Sequence, residues 1–359
     1  MNFIARVKNL DWVLNFSILF IALASLVSLY STDKASFYKQ LIWYVIGLVL
    51  IFVFSQVDWR PFLNYSRTIW GLYVFSVVLL VATYFFAPRI HGTKGWLVLG
   101  PFQFQTSEFS KFVLIVVFSW FWAKAHIGIA YSRNIFISFL YLIPPILLVL
   151  MQPDMGSALI LFGIWFSYLL ISGIKWKHLA VALLIFLIAS VFLWMSYLKD
   201  YQKERIIGLF YPERDPLGFS YNVIQSKIAI GSAGLWGKGF GQGTQSQLKF
   251  LPEAQTDFIF AAFIEEWGLI GGLMIIIAFM IILARIVRIG LVSENNFSRL
   301  FCLGSVVLLL LHFILNAGSD LGLVPVVGVP FPFLSYGGSY VLTLSLIVGI
   351  IQGIVIRTR

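Results

Sequence analysis

The chain has 359 residues, of which 60% are hydrophobic and only 11% are charged. A soluble domain carries about 25% charged residues, so there is too little charge here to cover a soluble surface. The sequence is therefore predicted to be an integral membrane protein. We expect its net charge of +10 to reflect membrane topology and contact with anionic membrane lipid, and not the binding of nucleic acid.

Long apolar segments recur along the whole chain. Segments of about 20 apolar residues can cross a bilayer as helices, whereas the sequence lacks the alternating strands of about 10 residues that build an outer-membrane barrel. We predict an all-α integral membrane protein with a single polytopic domain over residues 1–359. Its ten predicted spans lie at about residues 12–30, 40–57, 69–87, 107–124, 135–152, 155–173, 178–198, 258–284, 299–317 and 335–356.

The distribution of basic residues predicts the topology. With a cytoplasmic N-terminus, the inner segments carry a strong excess of Lys and Arg, whereas acidic and basic residues balance in the outer segments. This asymmetry is what the positive-inside rule expects. Both termini are therefore predicted to be cytoplasmic. The longest polar segment, residues 199–256, becomes an extracytoplasmic loop between the seventh and eighth spans.

Two other outer segments are rich in helix-breaking residues, at 88–107 and at 322–338. The second holds Pro325, Pro330 and Pro332 directly before the tenth span. Irregular backbone at membrane depth is tolerated only against protein or a water-filled cavity. Three irregular segments on one side therefore predict a single outward-facing cavity.

An acidic residue stands where the long loop enters the eighth span. An ionised carboxylate costs roughly 2.5–3.5 kcal/mol at the bilayer centre, so Asp257 is expected to have a structural or a chemical role. In the structural role it would stabilise the N-terminus of the eighth span through the helix dipole, which is worth about 0.3–1 kcal/mol. In the chemical role it would transfer a proton, and the small residues Ala261 and Gly268 leave room for this beside the acid. The residues alone leave both interpretations open.

A glycine-rich stretch, Gly231–Gly243, surrounds Lys238 in the long loop. Backbone N–H groups and one cation can hold a phosphate group in such a stretch. It is not a Walker A loop, because Ser232 and Gly239 occupy positions that this motif gives to Gly and to Ser or Thr. A flexible surface loop is the alternative interpretation.

Charged residues also stand at the starts of the fourth and sixth spans. Glu108 and Lys111 share one helix face, so they form either a structural ion pair or a site in which Lys111 contacts substrate. Asp154 follows Pro153, as is common where a helix begins. No metal site is predicted, because Cys302 is the lone cysteine and the histidines lack ligand spacing. These are His91, His126, His178 and His312.

Short blocks along the chain together carry a family resemblance. They are Ser107–Lys111, Gln152–Ala158, Asp215-Pro-Leu-Gly, Gln225-Ser-Lys-Ile-Ala-Ile-Gly-Ser, Gly243-Thr-Gln-Ser-Gln-Leu, Thr256-Asp-Phe-Ile-Phe, Glu265-Glu266 and Pro325-Val-Val-Gly-Val-Pro-Phe-Pro-Phe-Leu-Ser-Tyr-Gly-Gly-Ser. The chain resembles the SEDS family (shape, elongation, division and sporulation) of bacterial cell-wall polymerases, in its RodA branch. The Pro-Val-Val-Gly form of the closing block is typical of that branch.

The resemblance implies a bacterial inner-membrane peptidoglycan glycosyltransferase. Such an enzyme polymerises lipid II into glycan strands at the outer face of the cytoplasmic membrane, for cell elongation and rod shape. Its implied partner is a class B penicillin-binding protein, which crosslinks the product. Asp257 matches the acid regarded as essential in the family. Gln255 stands where a His is common, and Asp320 stands where the family generally has an apolar residue; we predict no role for Asp320.

The expected mechanism is a single inversion with Asp257 as the general base for the acceptor hydroxyl. Several other residues are expected to bind the substrate or its pyrophosphate, namely Lys238, Lys111, Arg205, Glu108, Asp154, Gln225 and Ser226. Lys238 is preferred among the cations for its glycine-rich setting, and a divalent cation is the alternative source of positive charge. Two other functions are weighed against this one, a flippase for the lipid-linked precursor and a non-enzymatic scaffold of the wall-synthesis complex.

Overall fold

The structure is a computed structural model that describes residues 8–59, 65–90, 92–100, 102–125, 132–171, 173, 176–198, 200–216, 218 and 220–358. Within these residues, nine helices are long and apolar enough to cross a membrane, and Met155–Ile171 is a further, shorter apolar helix. They match the ten predicted spans in order, which confirms an all-α, multi-pass membrane protein. The single domain stays a prediction, and Met1–Val7, Lys199 and Arg359 lie outside the described residues.

The longest connections between the spans are residues 87–105, the long loop and residues 321–337, which precede the last span. The first half of the chain forms α1 (Trp12–Thr32), α2 (Lys34–Gln56), α3 (Ser66–Phe86), β1 (Trp96–Leu99), β2 (Phe102–Gln105), α4 (Thr106–Lys124), α5 (Ser132–Met151), α6 (Met155–Ile171) and α7 (Trp176–Phe192). The long loop contains α8 (Asp200–Phe210), α9 (Tyr221–Ser232) and α10 (Thr244–Gln247). The last spans are α11 (Ile259–Val292), α12 (Asn296–Asp320) and α13 (Gly338–Thr358).

Burial separates the central helices from the peripheral ones. In α4 and α13, 78% and 83% of the apolar window is buried within the protein, against 6% of the window Leu179–Ser196, which covers most of α7. Helices α4 and α13 therefore lie at the centre of the bundle, while most of the described side chains of α7 are exposed on its outside. Helix α13 packs against α2, and α11 packs against α1 and α12.

Several polar residues fix where the helices begin. Asp11 accepts a hydrogen bond from the Leu14 N–H at 2.9 Å and caps α1. Asp33 occupies the short turn between α1 and α2 and caps α2 through the N–H groups of Ala35 and Ser36. The hydrogen bond from the Ser36 hydroxyl also lowers the pKa of the Asp33 carboxyl.

Helix α11 is broken near its start. Its 34 residues would span about 51 Å as a continuous helix, well beyond the roughly 30 Å hydrocarbon core. Gly268 has φ +72°, so Ile259–Trp267 forms a separate first segment. We call the end of the bundle that carries residues 88–105, 200–258 and 321–337 the loop face.

Candidate functional site

Asp257 lies at the loop face, in the turn that leads into α11 at Ile259. Its side chain is half-buried. Gly328, from the proline-rich segment before α13, faces this carboxylate: a Cβ atom added to Gly328 would lie 3.6 Å from Asp257 Oδ2. Gly328 has φ +67°, a conformation that favours glycine. The segment thus approaches the carboxylate at a residue that has no side chain.

We call residues 325–337 the closing segment. It is tied to the turn that holds Asp257. The Ser335 hydroxyl donates to the Thr256 carbonyl at 2.7 Å, and the Tyr336 N–H donates to the Gln255 carbonyl at 2.9 Å. Burial raises the pKa of the Tyr336 phenol. On the other side, Gln40 of α2 accepts from the Gly337 N–H at 3.1 Å.

A polar stripe on α12 holds the same two segments from within the bundle. His312, Asn316 and Asp320 are spaced four residues apart, so they lie on one helix face, and their relative exposures are 0%, 1% and 0%. His312 Nδ1 lies 3.1 Å from the Pro330 carbonyl oxygen. The Asn316 amide donates to the carbonyls of Asp257 at 2.8 Å and Val329 at 2.9 Å. Asn316 therefore joins the Asp257 backbone directly to the closing segment.

Three predicted substrate-binding residues come from the helices of the long loop. Arg205 of α8 is exposed, and its guanidinium donates to the Val326 carbonyl in the closing segment at 3.3 Å. Ser226 of α9 is buried and donates to the Asp320 carbonyl at 2.8 Å. Gln225 is half-buried on the neighbouring position of α9. The structure thus brings Arg205 and Ser226 to the two elements that border Asp257.

Asp154 caps α6 at the loop face. One carboxylate oxygen accepts from the Ser157 N–H at 2.9 Å and the other from the Ser107 hydroxyl at 3.3 Å. The closing segment presses against the same helix end, because a Cβ on Gly156 would lie 2.5 Å from the Val327 carbonyl oxygen. Asp154 is therefore near the closing segment, while its own hydrogen bonds are those of a helix cap.

Glu108 and Lys111 form a buried ion pair. Lys111 Nζ lies 2.7 Å from Glu108 Oε1, with side-chain exposures of 1% and 2%. Lys111 Nζ is also 3.4 Å from His312 Nε2, which connects the pair to the polar stripe on α12. The structural ion pair, one of the two interpretations of these residues, is present. A substrate contact by Lys111 stays a prediction.

Lys238 also has an acidic partner. Its ammonium group donates to Glu265 Oε1 at 2.8 Å and to the Thr244 hydroxyl at 2.7 Å. The backbone N–H groups of Lys238 and Gly239 bond to the backbone of α11: they donate to the Glu265 and Glu266 carbonyls at 2.9 and 3.1 Å. Pyrophosphate binding by Lys238 stays a prediction, and both its ammonium and its own N–H group have partners within the protein.

The break in α11 explains why the stretch around Lys238 is rich in glycine. Near the break, the Leu269 and Ile270 N–H groups donate to the Gly234 and Leu235 carbonyls at 3.1 and 3.2 Å. A Cβ on Gly237 would lie 2.2 Å from the Glu266 carbonyl oxygen, and one on Gly268 would lie 2.2 Å from the Leu235 carbonyl oxygen. The loop backbone therefore fills the helix break, and this contact requires glycine on both sides.

The predicted outward cavity stays a prediction. Two cavities, of about 320 and 200 Å³, lie at the opposite end of the bundle, near Asp11 and Arg285 and near Trp59 and Arg357. They are far from Asp257 along the helices, so we do not assign the chemistry to them. The sequence analysis assigned no site role to Asn316, Ser335 or Gly328; the four-residue spacing of polar side chains over 312–320 is the signal that could have indicated the first.

Metal ions in proteins are commonly held by sets of His, Cys, Asp and Glu side chains. Among the described residues, no three His, Cys, Asp or Glu side chains lie close enough together to hold a metal ion. His91, His126 and the side chain of His178 lie outside the described part of the chain. A cation near Asp257 would therefore need oxygen atoms from the substrate, as Mg²⁺ often takes from phosphate groups.

Several known proteins are similar to this chain in sequence. The chain is 37% identical over 308 residues to the peptidoglycan glycosyltransferase MrdB of Escherichia coli K12, covering 86% of this chain and 82% of that protein. It is 32% identical over 328 residues to the stage V sporulation protein E of Bacillus subtilis, covering 90% and 88%.

Solved structures of similar proteins have the same fold as this chain. The rod shape determining protein RodA of Thermus thermophilus superposes with a TM-score of 0.70 at 28% identity, covering 97% of each chain. A chain of a peptidoglycan synthase complex that coordinates polymerization and crosslinking gives a TM-score of 0.81 at 29% identity, covering 97% of this chain and 98% of that one. The profile of the cell cycle protein family FtsW/RodA/SpoVE matches residues 7–359. The chain therefore belongs to the FtsW/RodA/SpoVE family of cell cycle proteins, the SEDS family that its sequence blocks indicated.

Proposed function

We propose that this chain is a peptidoglycan glycosyltransferase that polymerises lipid II into glycan strands for cell elongation. The names of its relatives support the activity: MrdB of E. coli and RodA of Treponema pallidum, the latter 27% identical over 430 residues, are both peptidoglycan glycosyltransferases. The observation that carries the proposal is the half-buried Asp257 carboxylate beside Gly328, at the loop face, with its backbone held by Asn316.

In the proposed reaction, the acceptor sugar hydroxyl attacks the anomeric carbon of the donor. A new carbon–oxygen bond forms as the bond to the lipid pyrophosphate breaks, and the configuration inverts. The hydroxyl proton passes to Asp257, which acts as the general base. Asp257 suits this role because its side chain is half-buried at the loop face while Asn316 fixes the carbonyl of the same residue, which holds the base in one position.

The leaving pyrophosphate needs positive charge. Of the three predicted cations, Lys111 is 1% exposed and paired with Glu108, and Lys238 is paired with Glu265. Arg205 of α8 is exposed and donates to the Val326 carbonyl of the closing segment, which borders Asp257, so we assign it the pyrophosphate contact by its position. A planar guanidinium also matches phosphate oxygens in pairs. A divalent cation would be the second source of charge, and Asp257 together with substrate oxygen atoms would hold it; loss of activity with EDTA and its return with Mg²⁺ or Mn²⁺ tests it.

The proposal extends to location and partners. Lipid-linked substrate requires a bilayer, and the positive-inside rule puts the loop face outside the bacterial cytoplasmic membrane with both termini inside. A class B penicillin-binding protein is the partner that would crosslink the product. The similar chain in a peptidoglycan synthase complex supports this pairing, because that complex coordinates polymerization with crosslinking.

The decisive experiment is polymer formation from purified lipid II by the full chain in liposomes, with and without a class B penicillin-binding protein. Wild type is expected to make polymer, Asp257→Asn to make none, and the exposed loop variant Glu213→Gln to match wild type. Polymer from a folded Asp257→Asn protein would refute Asp257 as the base. Absence of polymer from folded wild type under both conditions would refute the enzyme, and lipid II translocation in the same liposomes would then identify a flippase, its absence a scaffold.

A further inference from the structure

The first turn of α11 lacks a cap from its own sequence. The first N–H groups of a helix have no partner within it, and the residue at the N-cap position is Phe258, whose ring carries no acceptor atom. Asp320, at the end of α12, supplies the missing acceptor: its Oδ2 accepts from the Ala261 N–H at 3.0 Å. The cap of α11 therefore comes from another helix, and it acts at Ala261, four residues after Asp257.

Asp320 and Asn316 hold two successive parts of the same short segment. Asn316 binds the Asp257 carbonyl at 2.8 Å, and Asp320 binds the N–H group four residues further on. Both lie on the stripe of α12, and the Ser226 hydroxyl holds the Asp320 carbonyl at 2.8 Å from α9. The start of α11 is thus fixed to α12 at two points, and α12 is fixed to the long loop at Asp320.

A helix cap needs one acceptor oxygen and does not by itself require a carboxylate at this position. Asp320 is fully buried, and its Oδ1 finds no hydrogen-bond donor among the residues that the structure describes. The group is also near enough to Asp257 for the two to interact electrostatically. A buried acceptor without a donor costs free energy, so the oxygen that bonds the Ala261 N–H is expected to serve the site.

We infer that Asp320 is a positioning residue for Asp257: by capping α11 in trans at Ala261, it fixes the turn from which the general base projects. The inference rests on the proposed function. It assigns a role to a residue that does not touch substrate, and it makes the acceptor bond, not the charge, the required feature. Misplacing a reacting group by about 1 Å can cost about 100-fold in rate.

The test compares variants that keep or remove the acceptor. Asp320→Asn retains an oxygen for the Ala261 N–H. Asp320→Ala removes it, and Asp320→Val removes it while keeping more of the side-chain volume, because neither side chain carries a polar atom. Each full-length variant and the wild-type protein are purified in parallel. For each protein, kcat and KM for lipid II are measured together with hydrogen exchange at the Ala261 amide.

We expect Asp320→Asn to keep kcat within about twofold of wild type. The Ala and Val variants should lose about 10- to 100-fold in kcat with KM within about twofold, and only they should exchange the Ala261 amide faster. Wild-type kcat in either folded removal variant would overturn the inference, as would an Asn variant as slow as the Ala variant. If wild type itself makes no polymer, the proposed function fails separately, and unchanged Ala261 exchange in the removal variants would overturn the cap.

Discussion

Lys238 and Glu265 form an ion pair, at 2.8 Å, between the glycine-rich part of the long loop and α11. The Glu265 carboxylate is fully buried and also accepts from the backbone N–H groups of Gln245 and Ser246 at 2.8 and 3.1 Å. One carboxylate therefore gathers two separate parts of the loop, and Lys238 neutralises it. The pair anchors the loop to the membrane-spanning helix.

We predict that Lys238 and Glu265 are coupled energetically. Lys238→Ala and Glu265→Gln should each lower the thermal unfolding temperature, and the double variant should lose less than the sum, with a coupling of about 0.5–3 kcal/mol. Lys203→Ala makes the same charge change elsewhere in the loop and should leave the unfolding temperature unchanged. A Lys238→Ala protein of wild-type stability but raised KM would instead assign Lys238 to substrate pyrophosphate.

The two glycines at the helix break should not tolerate a side chain. Both Gly237 and Gly268 have positive φ, at +82° and +72°, and an added Cβ would meet backbone atoms that cannot rotate away. Gly237→Ala and Gly268→Ala should each cost at least about 2 kcal/mol of folding stability. Gly231→Ala is the control, since no atom lies within 4 Å of its added Cβ and alanine favours a helix by up to about 1 kcal/mol. Equal stability of all three variants would contradict the packing of the loop against α11.

Breaking the buried Glu108–Lys111 pair on one side should be more harmful than removing both charges. Glu108→Gln or Lys111→Met leaves an uncompensated charge and should cost about 3–5 kcal/mol, whereas the double variant Glu108→Leu/Lys111→Met should recover most of that loss. Asp58→Asn, at a partly exposed pair with Arg357 at 3.5 Å, should change stability by less than about 1 kcal/mol. Thermal unfolding in detergent measures all four. A stable Lys111→Met variant would count against the structural pair.

Asp154 should be replaceable by another capping residue. Asp154→Ala removes the acceptor for the Ser157 N–H and should cost about 1 kcal/mol, whereas Asp154→Ser keeps a cap and should lose only a few tenths. With polymerisation measured on the same proteins, the Ser variant should retain wild-type activity. An inactive but fully stable Asp154→Ser protein would show that this carboxylate contacts substrate.

The membrane architecture could be predicted from the sequence because hydropathy and helix length are local properties. The ten spans, the long polar segment and the irregular approach to α13 all follow from them. The boundaries shifted where local structure overrides hydropathy: the tenth span begins at Gly338 and not near 335, because residues 335–337 bond to Thr256, Gln255 and Gln40.

The site was harder to predict because its contacts join distant parts of the chain. Asp257 stood out as an acid beside an apolar run, but Asn316 reaches it from 59 residues away. The glycine-rich stretch was interpreted through phosphate chemistry, since composition cannot show that its partner is the backbone of α11. Asp320 had no predicted role, because only the folded chain reveals the uncapped helix end that it meets.

The break at Gly268 also bears on how the chain enters the membrane. A helix broken in a bilayer leaves N–H and C=O groups without partners, which is costly in hydrocarbon. Here the partners are Gly234, Leu235, Lys238 and Gly239, all of which precede the break along the chain. During synthesis the loop is therefore complete before Gly268 leaves the ribosome. The residues that bond to the backbone groups at the break are therefore synthesised before α11 inserts into the bilayer. Those hydrogen bonds need no segment that follows Gly268 in the sequence.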